Sequence, residues 1–260
     1  MRPDFSFTNW KDRSIAPKDK IVESLFQILH EDAGLLVVNK PAGLVCHPTK
    51  TDGRSSLIAR ARLHLGPDCY PHLINRLDRE TSGVILIAKQ AEIASALRQL
   101  WEQRTVRKQY WAIAHGSIAQ DRLLIDAPLG KDETSRVAIK DTVRVDGAEA
   151  QTEIAVIRRF QRDGQEFTFV QAQPRTGRKH QIRIHLAHLG HPIVGDKIYG
   201  LDETLYLDFV VGKLSAEQTR RLLLPFQALH ARSVEFEFRS ERQLFQAEPE
   251  SWFASFAGLQ

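Results

Sequence analysis

The sequence predicts an α+β fold in which a mixed, mostly antiparallel β-sheet forms the core and helices flank it. Three observations lead to this expectation. Short alternating or apolar runs typical of strands outnumber the segments with helical periodicity. The helical segments are spaced irregularly, without the regular strand–helix alternation of parallel α/β folds. A chain of 260 residues with 42% hydrophobic and 26% charged residues is long enough to bury a substantial core.

Strand signals begin at residue 26. Residues 26–29 and 35–39 are separated by a turn-prone segment, and this pattern predicts a β-hairpin. The short apolar run at 84–88 predicts a buried strand. The remaining predicted strands are residues 106–114, 143–160, 166–173 and 231–238.

Helices are predicted where apolar residues recur at three- and four-residue spacing. The segments with this spacing are residues 51–65, 91–103 and 178–189. Gly190 ends the third helix, and Pro192 follows two residues later. A capping-box pattern that runs from Ser215 to Gln218 predicts the start of one more helix.

The domain organisation predicted from these elements is simple. Residues 1–25 form an irregular N-terminal arm, and residues 26–260 form one domain. The sequence contains neither the apolar core of a signal peptide nor a run long enough to cross a bilayer, so we expect a cytoplasmic protein. Cys46 and Cys69 form neither a disulfide framework nor a zinc-ligand pattern, and Cys46 is best interpreted as a small buried thiol.

Charge is distributed unevenly along the chain. The formal net charge of +4 and the isoelectric point near 9.1 are weak indications of a polyanionic partner. Residues 167–195, however, contain no acidic side chain and four basic ones, which are Arg175, Arg178, Lys179 and Arg183. Such a segment is typical of phosphate-backbone binding, but an ordinary solvated basic face would have the same composition.

The predicted helix at 178–189 has features that bear on function. Its apolar residues fall on one stripe that should pack against the sheet, namely Ile182, Leu186 and Leu189. Lys179 and Arg183 are four residues apart, so they should be neighbours at the edge of that stripe, where one can reach a carboxylate. Gly177, in the turn before the helix, is free to adopt a backbone conformation that other residues avoid. A helix start beside arginines also suits phosphate.

Four histidines in this region raise the possibility of a metal site: His180, His185, His188 and His191. His185 and His188 would share a helix face, but Gly190 ends the helix before His191. The sequence has no HExxH pattern and no cysteine or carboxylate at matching spacing. A metal-dependent hydrolase is therefore kept as an alternative, and the simpler expectation is that these side chains bind backbone carbonyls or RNA phosphates.

Asp78, in the stretch PHLINRLDRETSGVILIAK, has two interpretations. A single aspartate in a loop is commonly a turn former or a helix cap. Here Arg76 precedes it, and a Thr-Ser-Gly segment follows it just before a buried strand. A carboxylate held at the mouth of a strand and facing an arginine from elsewhere in the fold stays ionised despite desolvation. Such a group suits a covalent or general-base step.

Several motifs resemble those of RluA-type pseudouridine synthases. NRLDRETSG at 75–83 resembles the active-site signature of that family, and RTGRKHQIRIHLA at 175–187 resembles its second diagnostic motif. The same order of motifs includes VNKPAGL at 38–44, HPIVGD at 191–196 and LHA at 229–231. The resemblance therefore covers about residues 26–240. One departure is Asn75, where the family most often has histidine.

The resemblance implies an activity and a set of residues that carry it. Members of the family isomerise uridine to pseudouridine in RNA, without metal, nucleotide or redox cofactor. Asp78 takes the position of the catalytic aspartate, and Arg183 that of the basic residue paired with it. Tyr110, in RKQYWA, matches the tyrosine that stacks on the base near C5, although a cross-strand aromatic in the sheet is the alternative. Arg76 matches the arginine that occupies the space left by the flipped nucleotide.

The expected partner is RNA, either ribosomal or transfer RNA. Residues 1–25 cannot accommodate the separate N-terminal RNA-binding domain that many relatives carry, so RNA recognition should come from the catalytic domain itself. The candidates for binding the RNA backbone are Arg175, Arg178, Lys179 and His180. We expect no membrane partner and a monomer. A catalytically silent RNA-binding assembly factor of the same fold is the alternative function, although retention of Asp78, Tyr110 and Arg183 together argues against it.

Overall fold

The computed structural model describes residues 26–48, 56–200 and 202–259, so the predicted arm at 1–25 lies outside the described residues. The strands are β1 Gln27–Glu31, β2 Leu35–Lys40, β3 His72–Leu73, β4 Ser82–Ala88, β5 Arg107–His115, β6 Arg122–Asp126, β7 Leu129–Lys131, β8 Asp141–Val143, β9 Gln151–Arg162, β10 Gln165–Pro174, β11 Leu229–Phe238 and β12 Glu241–Gln246. The helices are α1 Leu57–Leu65, α2 Ala91–Glu102, α3 Gln181–His188, α4 Thr204–Val210, α5 Ala216–Leu222 and α6 Ser251–Ala257.

Within the described residues, ten strands form one sheet, and β7 and β8 form a separate hairpin. The main path of the sheet is β1-β2-β4-β11-β5-β10-β9-β6, with β3 paired to β4 and β12 paired to β11. The pairing of β4 with β11 is parallel, whereas the other pairings between these strands are antiparallel. The structure thus confirms the predicted mixed, mostly antiparallel sheet with flanking helices.

Strand β4 is buried along its whole length because both of its faces are covered. Ile85 and Ile87 pack in one apolar cluster with residues of α1, and Leu86 packs in another with residues of α2. Gly83 allows β4 to meet β11, since its φ is 116° and a Cβ atom there would lie 2.3 Å from the carbonyl oxygen of Ala231. The pairing of β4 with β11 places the residues just before β4 near the centre of the sheet.

A second part of the core lies around β5, β9 and β10. Ile182 and Leu186 of α3 pack in this cluster, with Leu189 against it, which confirms the predicted apolar stripe. Phe256 of α6 meets Phe167 edge to face, with ring centroids 5.1 Å apart. Helix α3 is therefore fixed between the sheet and the cleft described below.

Two predicted boundaries are wrong for identifiable reasons. The strand expected at 143–160 is interrupted, because β8 ends at Val143 and β9 begins at Gln151. Val145 between them is fully exposed. Helix α3 begins at Gln181 and not at residue 178, because His180 adopts a left-handed conformation with a φ of 56° that an α-helix does not continue through.

The start of α1 also differs from the prediction. Ser56 is extended and caps the helix by accepting a hydrogen bond from the backbone N–H of Ala59, so α1 begins at Leu57. Residues 51–55 of the predicted helix lie outside the described residues. The capping box at Ser215 is present at the start of α5. No helix in the described part of the chain is long and apolar enough to span a membrane.

Candidate active site

A cleft of about 780 Å³ lies between the loop that precedes β4 and the segment that leads into α3. Among the described residues that line it, Asp78 is the one carboxylate. The Lys and Arg residues that line it are Arg76, Arg79, Lys108, Arg178, Lys179 and Arg183. The cleft therefore presents one anionic group among cations, an arrangement that suits a polyanionic ligand.

Asp78 lies in the loop between β3 and β4, and its side chain is 29% exposed. Leu77 before it is buried in the apolar cluster beneath α1. The backbone carbonyl of Asp78 accepts a hydrogen bond from the N–H of Thr81 at 3.2 Å, which closes a turn directly before β4. The loop thus holds the carboxylate at the cleft while burying the residue before it.

Lys40 fixes the same loop from beneath. Its side chain is fully buried, and Nζ donates to the carbonyl oxygens of Pro41, Leu44 and Arg79 at 2.9, 2.8 and 3.0 Å. Burial lowers the pKa of Lys40 to about 8, yet three carbonyl acceptors match the three donors of an ammonium group. In the sequence this lysine stands out only as part of the VNKPAGL motif at 38–44.

Asn75 supports the loop from its other end. Its amide donates to the carbonyl of Val84 at 3.0 Å, and its side-chain oxygen accepts the N–H of Leu86 at 2.8 Å. The single departure noted in the first motif therefore has a structural explanation. The asparagine ties the loop to β4 by two hydrogen bonds to the backbone.

Arg183 joins Asp78 to a second carboxylate. Its Nη1 donates to Oδ2 of Asp78 at 2.8 Å, while Nε and Nη2 donate to the two oxygens of Asp196 at 2.7 and 2.9 Å. The expected pairing of Asp78 with Arg183 is therefore present. Arg183 is buried inside the fold and not at the edge of a helix face as predicted. Lys179, which precedes α3, is not its helical neighbour.

Asp196 is a site residue that sequence reasoning missed. It lies in HPIVGD, but nothing local separates it from a turn aspartate. Its Oδ1 also accepts the backbone N–H groups of Ile198 and Tyr199 at 2.9 and 3.0 Å. These contacts fix the carboxylate, which in turn fixes the plane of the Arg183 guanidinium.

Electrostatics keep this group of three ionised. Burial raises the pKa of Asp78, but Arg183 and His180 outweigh it, so the pKa lies below the ordinary value. Burial likewise raises the pKa of Asp196, and Arg183 outweighs it. For Arg183, burial lowers the pKa, and the two carboxylates together hold it above the ordinary value. At neutral pH one guanidinium thus faces two carboxylates.

A second buried ion pair stands beside the first. Lys197 donates to both oxygens of Glu80 at 2.8 and 2.9 Å and to the carbonyl of Pro225 at 2.9 Å. Burial raises the pKa of Glu80, and Lys197 only partly offsets it. The pair links the Asp78 loop to the segment that contains Asp196, so two independent contacts hold these segments together.

Tyr110 and Arg76 both line the cleft with Asp78. Tyr110 is on β5 and pairs with Ala231 on β11 and Ala172 on β10. Burial, and secondarily Asp78, raises the pKa of Tyr110, so its hydroxyl is neutral at physiological pH. Arg76 is exposed at the same cleft. Their predicted contacts with RNA remain predictions.

Three of the candidates for binding the RNA backbone already have partners within the protein. Arg175 forms an ion pair with Glu153, and Lys179 forms one with Asp141 at 2.8 Å. Arg178 donates to the backbone carbonyl of Glu149 at 3.0 Å. The stretch at 167–195 lacks acids, but the fold brings acids from β8 and β9 beside it.

The histidines do not converge. His185 contacts Thr152 and the carbonyl of Ala127, and His191 contacts the carbonyl of His115. His188 is exposed. Across residues 26–48, 56–200 and 202–259, no three His, Cys, Asp or Glu side chains are grouped so as to hold a metal ion. The contacts of His185 and His191 with backbone carbonyls agree with the simpler expectation for these histidines.

His180, in contrast, is directed at the cleft. Its side chain is 8% exposed, and Nε2 lies 3.8 Å from Oδ1 of Asp78. Nδ1 lies 2.8 Å from the hydroxyl of Tyr199. Burial, and secondarily Arg183, lowers the pKa of His180 to about 4, so the ring is neutral at pH 7. The left-handed backbone conformation belongs to this residue and not to Gly177, which was noted as free to adopt it.

Comparison with known proteins places these motifs in a named family. A family profile described as RNA pseudouridylate synthase matches residues 34–188. Ribosomal large subunit pseudouridine synthase C of Pasteurella multocida is 36% identical over 220 residues, which cover 84% of this chain and 62% of the relative. The uncharacterised RNA pseudouridine synthase YlyB of Bacillus subtilis is 37% identical over 184 residues, or 68% of this chain and 59% of the relative.

Solved structures agree with these matches. Human RNA pseudouridylate synthase domain containing 4 superposes with a TM-score of 0.69 at 27% identity, covering 93% of this chain and 96% of that one. The corresponding human protein, domain containing 1, has the same TM-score at 24% identity, which shows a shared fold. The chain spans about 60% of the length of the two curated relatives described above.

Proposed function

This chain belongs to the RNA pseudouridylate synthase family, and from that premise we propose that it isomerises uridine to pseudouridine in RNA, with Asp78 as the catalytic carboxylate. One observation carries the proposal. Asp78 is an ionised, partly exposed carboxylate paired with Arg183, in a cleft whose other charged lining residues in the described chain are cations. Such a cleft attracts the phosphates of RNA and brings the bound nucleotide to a single reactive carboxylate.

The reaction requires only that bonds within one nucleotide be exchanged. The C1′–N1 bond breaks, the uracil turns, C5 bonds to C1′, and the proton lost from C5 is balanced by the proton gained at N1. Asp78 either stabilises the cleavage or attacks the nucleoside. Because C1′ and C5 are inaccessible inside a stacked helix, the target nucleotide has to flip into the cleft.

The other lining residues have roles in the same proposal. Arg183 keeps Asp78 ionised, Tyr110 stacks on the flipped base, and Arg76 fills the space that the nucleotide leaves. Arg178 and Lys179 hold the RNA backbone beside the cleft, and Arg175 extends that surface. These roles are supported by the shared lining of one cleft and by the motifs of the family.

The proposed substrate is ribosomal RNA of the large subunit or transfer RNA. The name of the Pasteurella multocida relative refers to the large ribosomal subunit, which makes that RNA the first to test. A cytoplasmic location, a monomeric state and an activity without cofactor stay predictions from the sequence.

Pseudouridine mapping tests the proposal. In-vitro transcribed large-subunit ribosomal RNA and transfer RNA are incubated with wild type, Asp78→Asn or Asp163→Asn. Asp163 is an exposed turn residue with a φ of 50°, which asparagine accepts, so it is the matched control. We expect the wild type and the control to form pseudouridine at defined positions, and Asp78→Asn to form none.

Two results would count against the proposal. If wild type modifies neither RNA pool but binds RNA through the cleft, the chain is a silent RNA-binding assembly factor. If Asp78→Asn modifies RNA as well as wild type does, the catalytic carboxylate is a different residue.

A further inference from the structure

His180 has an unusual backbone conformation, and its side chain lines the cleft. Its φ of 56° lies in the left-handed region, which histidine adopts infrequently and at some energetic cost. The residue immediately precedes α3, and its largely buried side chain lines the cleft beside Asp78. The conformation therefore determines where the imidazole points.

The contacts of Tyr199 indicate which ring nitrogen of His180 carries the proton. The backbone N–H of Asp141 donates to the hydroxyl oxygen of Tyr199 at 3.2 Å. Burial raises the pKa of Tyr199, so its hydroxyl keeps a proton, and among the described residues Nδ1 of His180, 2.8 Å away, is the acceptor placed to receive it. Since Nδ1 accepts, Nε2 of the neutral ring carries the hydrogen. Nε2–H is thus a donor on the side of Asp78.

The gap between this donor and Asp78 has room for one atom that bonds to both. Nε2 and Oδ1 are 3.8 Å apart, which is too long for a direct hydrogen bond. An oxygen about 2.9 Å from Nε2 and about 2.7 Å from Oδ1 would form a triangle on that base. That oxygen has to accept from Nε2–H and donate to the carboxylate. A hydroxyl does both, whereas carbonyl and phosphate oxygens carry no proton.

We propose that His180 and Asp78 together bind the 2′-hydroxyl of the target ribose, so that His180 makes the cleft selective for RNA over DNA. The proposal rests on the proposed function, in which the C1′–N1 bond breaks beside Asp78. The 2′-oxygen is attached to the carbon next to C1′, so it is the ribose hydroxyl nearest to the bond that breaks. It is also the group by which proteins distinguish RNA from DNA.

A binding experiment tests this with RNAs that do not turn over. Oligonucleotides that contain the site found by mapping carry either pseudouridine or 2′-deoxypseudouridine at the target position. We expect wild type to bind the ribose form about tenfold more tightly than the deoxyribose form, because a hydroxyl bridging a carboxylate and a neutral donor is lost. The Kd values of both oligonucleotides are measured by fluorescence anisotropy.

Two amide variants distinguish the loss of the hydrogen-bond donor from a disturbance of the backbone conformation. His180→Asn tolerates the left-handed backbone but is too short to place a donor near Asp78, so the preference should fall to about twofold. His180→Gln places its amide nitrogen near the position of Nε2 and should restore part of the preference. His188→Gln, on the exposed side of α3, is the control and should keep the full preference.

The outcomes distinguish this inference from the proposed function. If His180→Asn weakens binding of both oligonucleotides equally, His180 is a structural residue or a phosphate contact and the inference is wrong. A wild type without any preference would also overturn it, even if that protein forms pseudouridine. Absence of pseudouridine in the mapping experiment would instead contradict the proposed function, and with it the inference that rests on it.

Discussion

Arg183 holds Asp78 and Asp196 on opposite sides of one buried guanidinium, with Nη1 2.8 Å from Asp78 and Nε 2.7 Å from Asp196. The charge of the arginine is therefore shared between the carboxylate in the cleft and one that is fully enclosed. Asp196 is itself held by two backbone N–H groups. The orientation of Asp78 thus depends on a chain of contacts that begins in the segment after α3.

Arg183→Lys is expected to abolish most of the activity while leaving the fold charge-balanced. A lysine ammonium is a compact donor and cannot bridge both carboxylates as the planar guanidinium does. We expect the single-turnover rate of pseudouridine formation to fall about 100-fold, whereas Kd for RNA changes only a few-fold. Arg242→Lys, at an exposed ion pair with Glu235, is the control. Equal losses in rate and in affinity would instead identify Arg183 as a phosphate contact.

Asp196→Asn is expected to lower activity without touching the cleft. The amide can accept one hydrogen bond from Arg183, but its NH₂ group faces a second donor. The guanidinium is then no longer held in one orientation. We expect kcat to fall about tenfold or more, KM to change little, and the free energy of unfolding to drop by about 3 kcal/mol. Glu149→Gln, at an exposed pair with Arg104, should cost less than about 1 kcal/mol. An Asp196→Asn protein that is destabilised but has wild-type kcat would make Asp196 purely structural.

The pairing of Asp78 with Arg183 was predictable from sequence, but the residues that position it were not. Asp78 and Arg183 occur in long motifs, and a buried strand after Asp78 was evident from its apolar run. Asp196 was not recognised because a carboxylate after glycine looks like any turn residue until the fold places Arg183 beside it. Lys40 was overlooked for a similar reason, since its three acceptors come from two separate segments.

The same limit explains the wrong boundaries. Periodicity detects which side of a segment is apolar, but it does not detect a left-handed residue such as His180 at the start of α3. The distribution of charge along the chain likewise does not show which acidic residues from other segments lie nearby in the fold. The acid-free stretch at 167–195 gains Glu153 and Asp141 only when the sheet and the β7–β8 hairpin form.

Tyr110 is expected to bind the flipped base through its ring. Tyr110→Phe keeps the aromatic face and should leave Kd for target RNA within about threefold of wild type. Tyr110→Leu removes the stacking surface and should weaken binding about tenfold, since stacking of one base on an aromatic side chain contributes about 1–3 kcal/mol. Tyr70→Leu, which changes a 72% exposed tyrosine, is the matched control. If Tyr110→Leu binds as tightly as wild type, Tyr110 is only a cross-strand aromatic.

His230 is expected to make stability depend on pH in the acid range. It lies on β11 opposite Ser82 of β4 and is fully buried, with Nδ1 2.9 Å from the hydroxyl of Ser82 and Nε2 2.9 Å from the carbonyl of Ala247. The carbonyl requires a proton on Nε2, so the neutral ring accepts from Ser82 and both groups are satisfied. Burial lowers the pKa of His230 from 6.5 to about 4, although the Ala247 carbonyl opposes the shift.

The sign of that dependence follows from the two pKa values. Between pH 6.5 and 4 the unfolded chain binds a proton at His230 that the folded protein does not, so stability falls as the pH falls. From pH 7 to 5 the wild type should lose about 2 kcal/mol more than His230→Gln, whose amide does not titrate. Urea unfolding at both pH values measures the difference. Parallel losses in the two proteins would show that the ring is protonated in the fold, contrary to the burial that lowers its pKa.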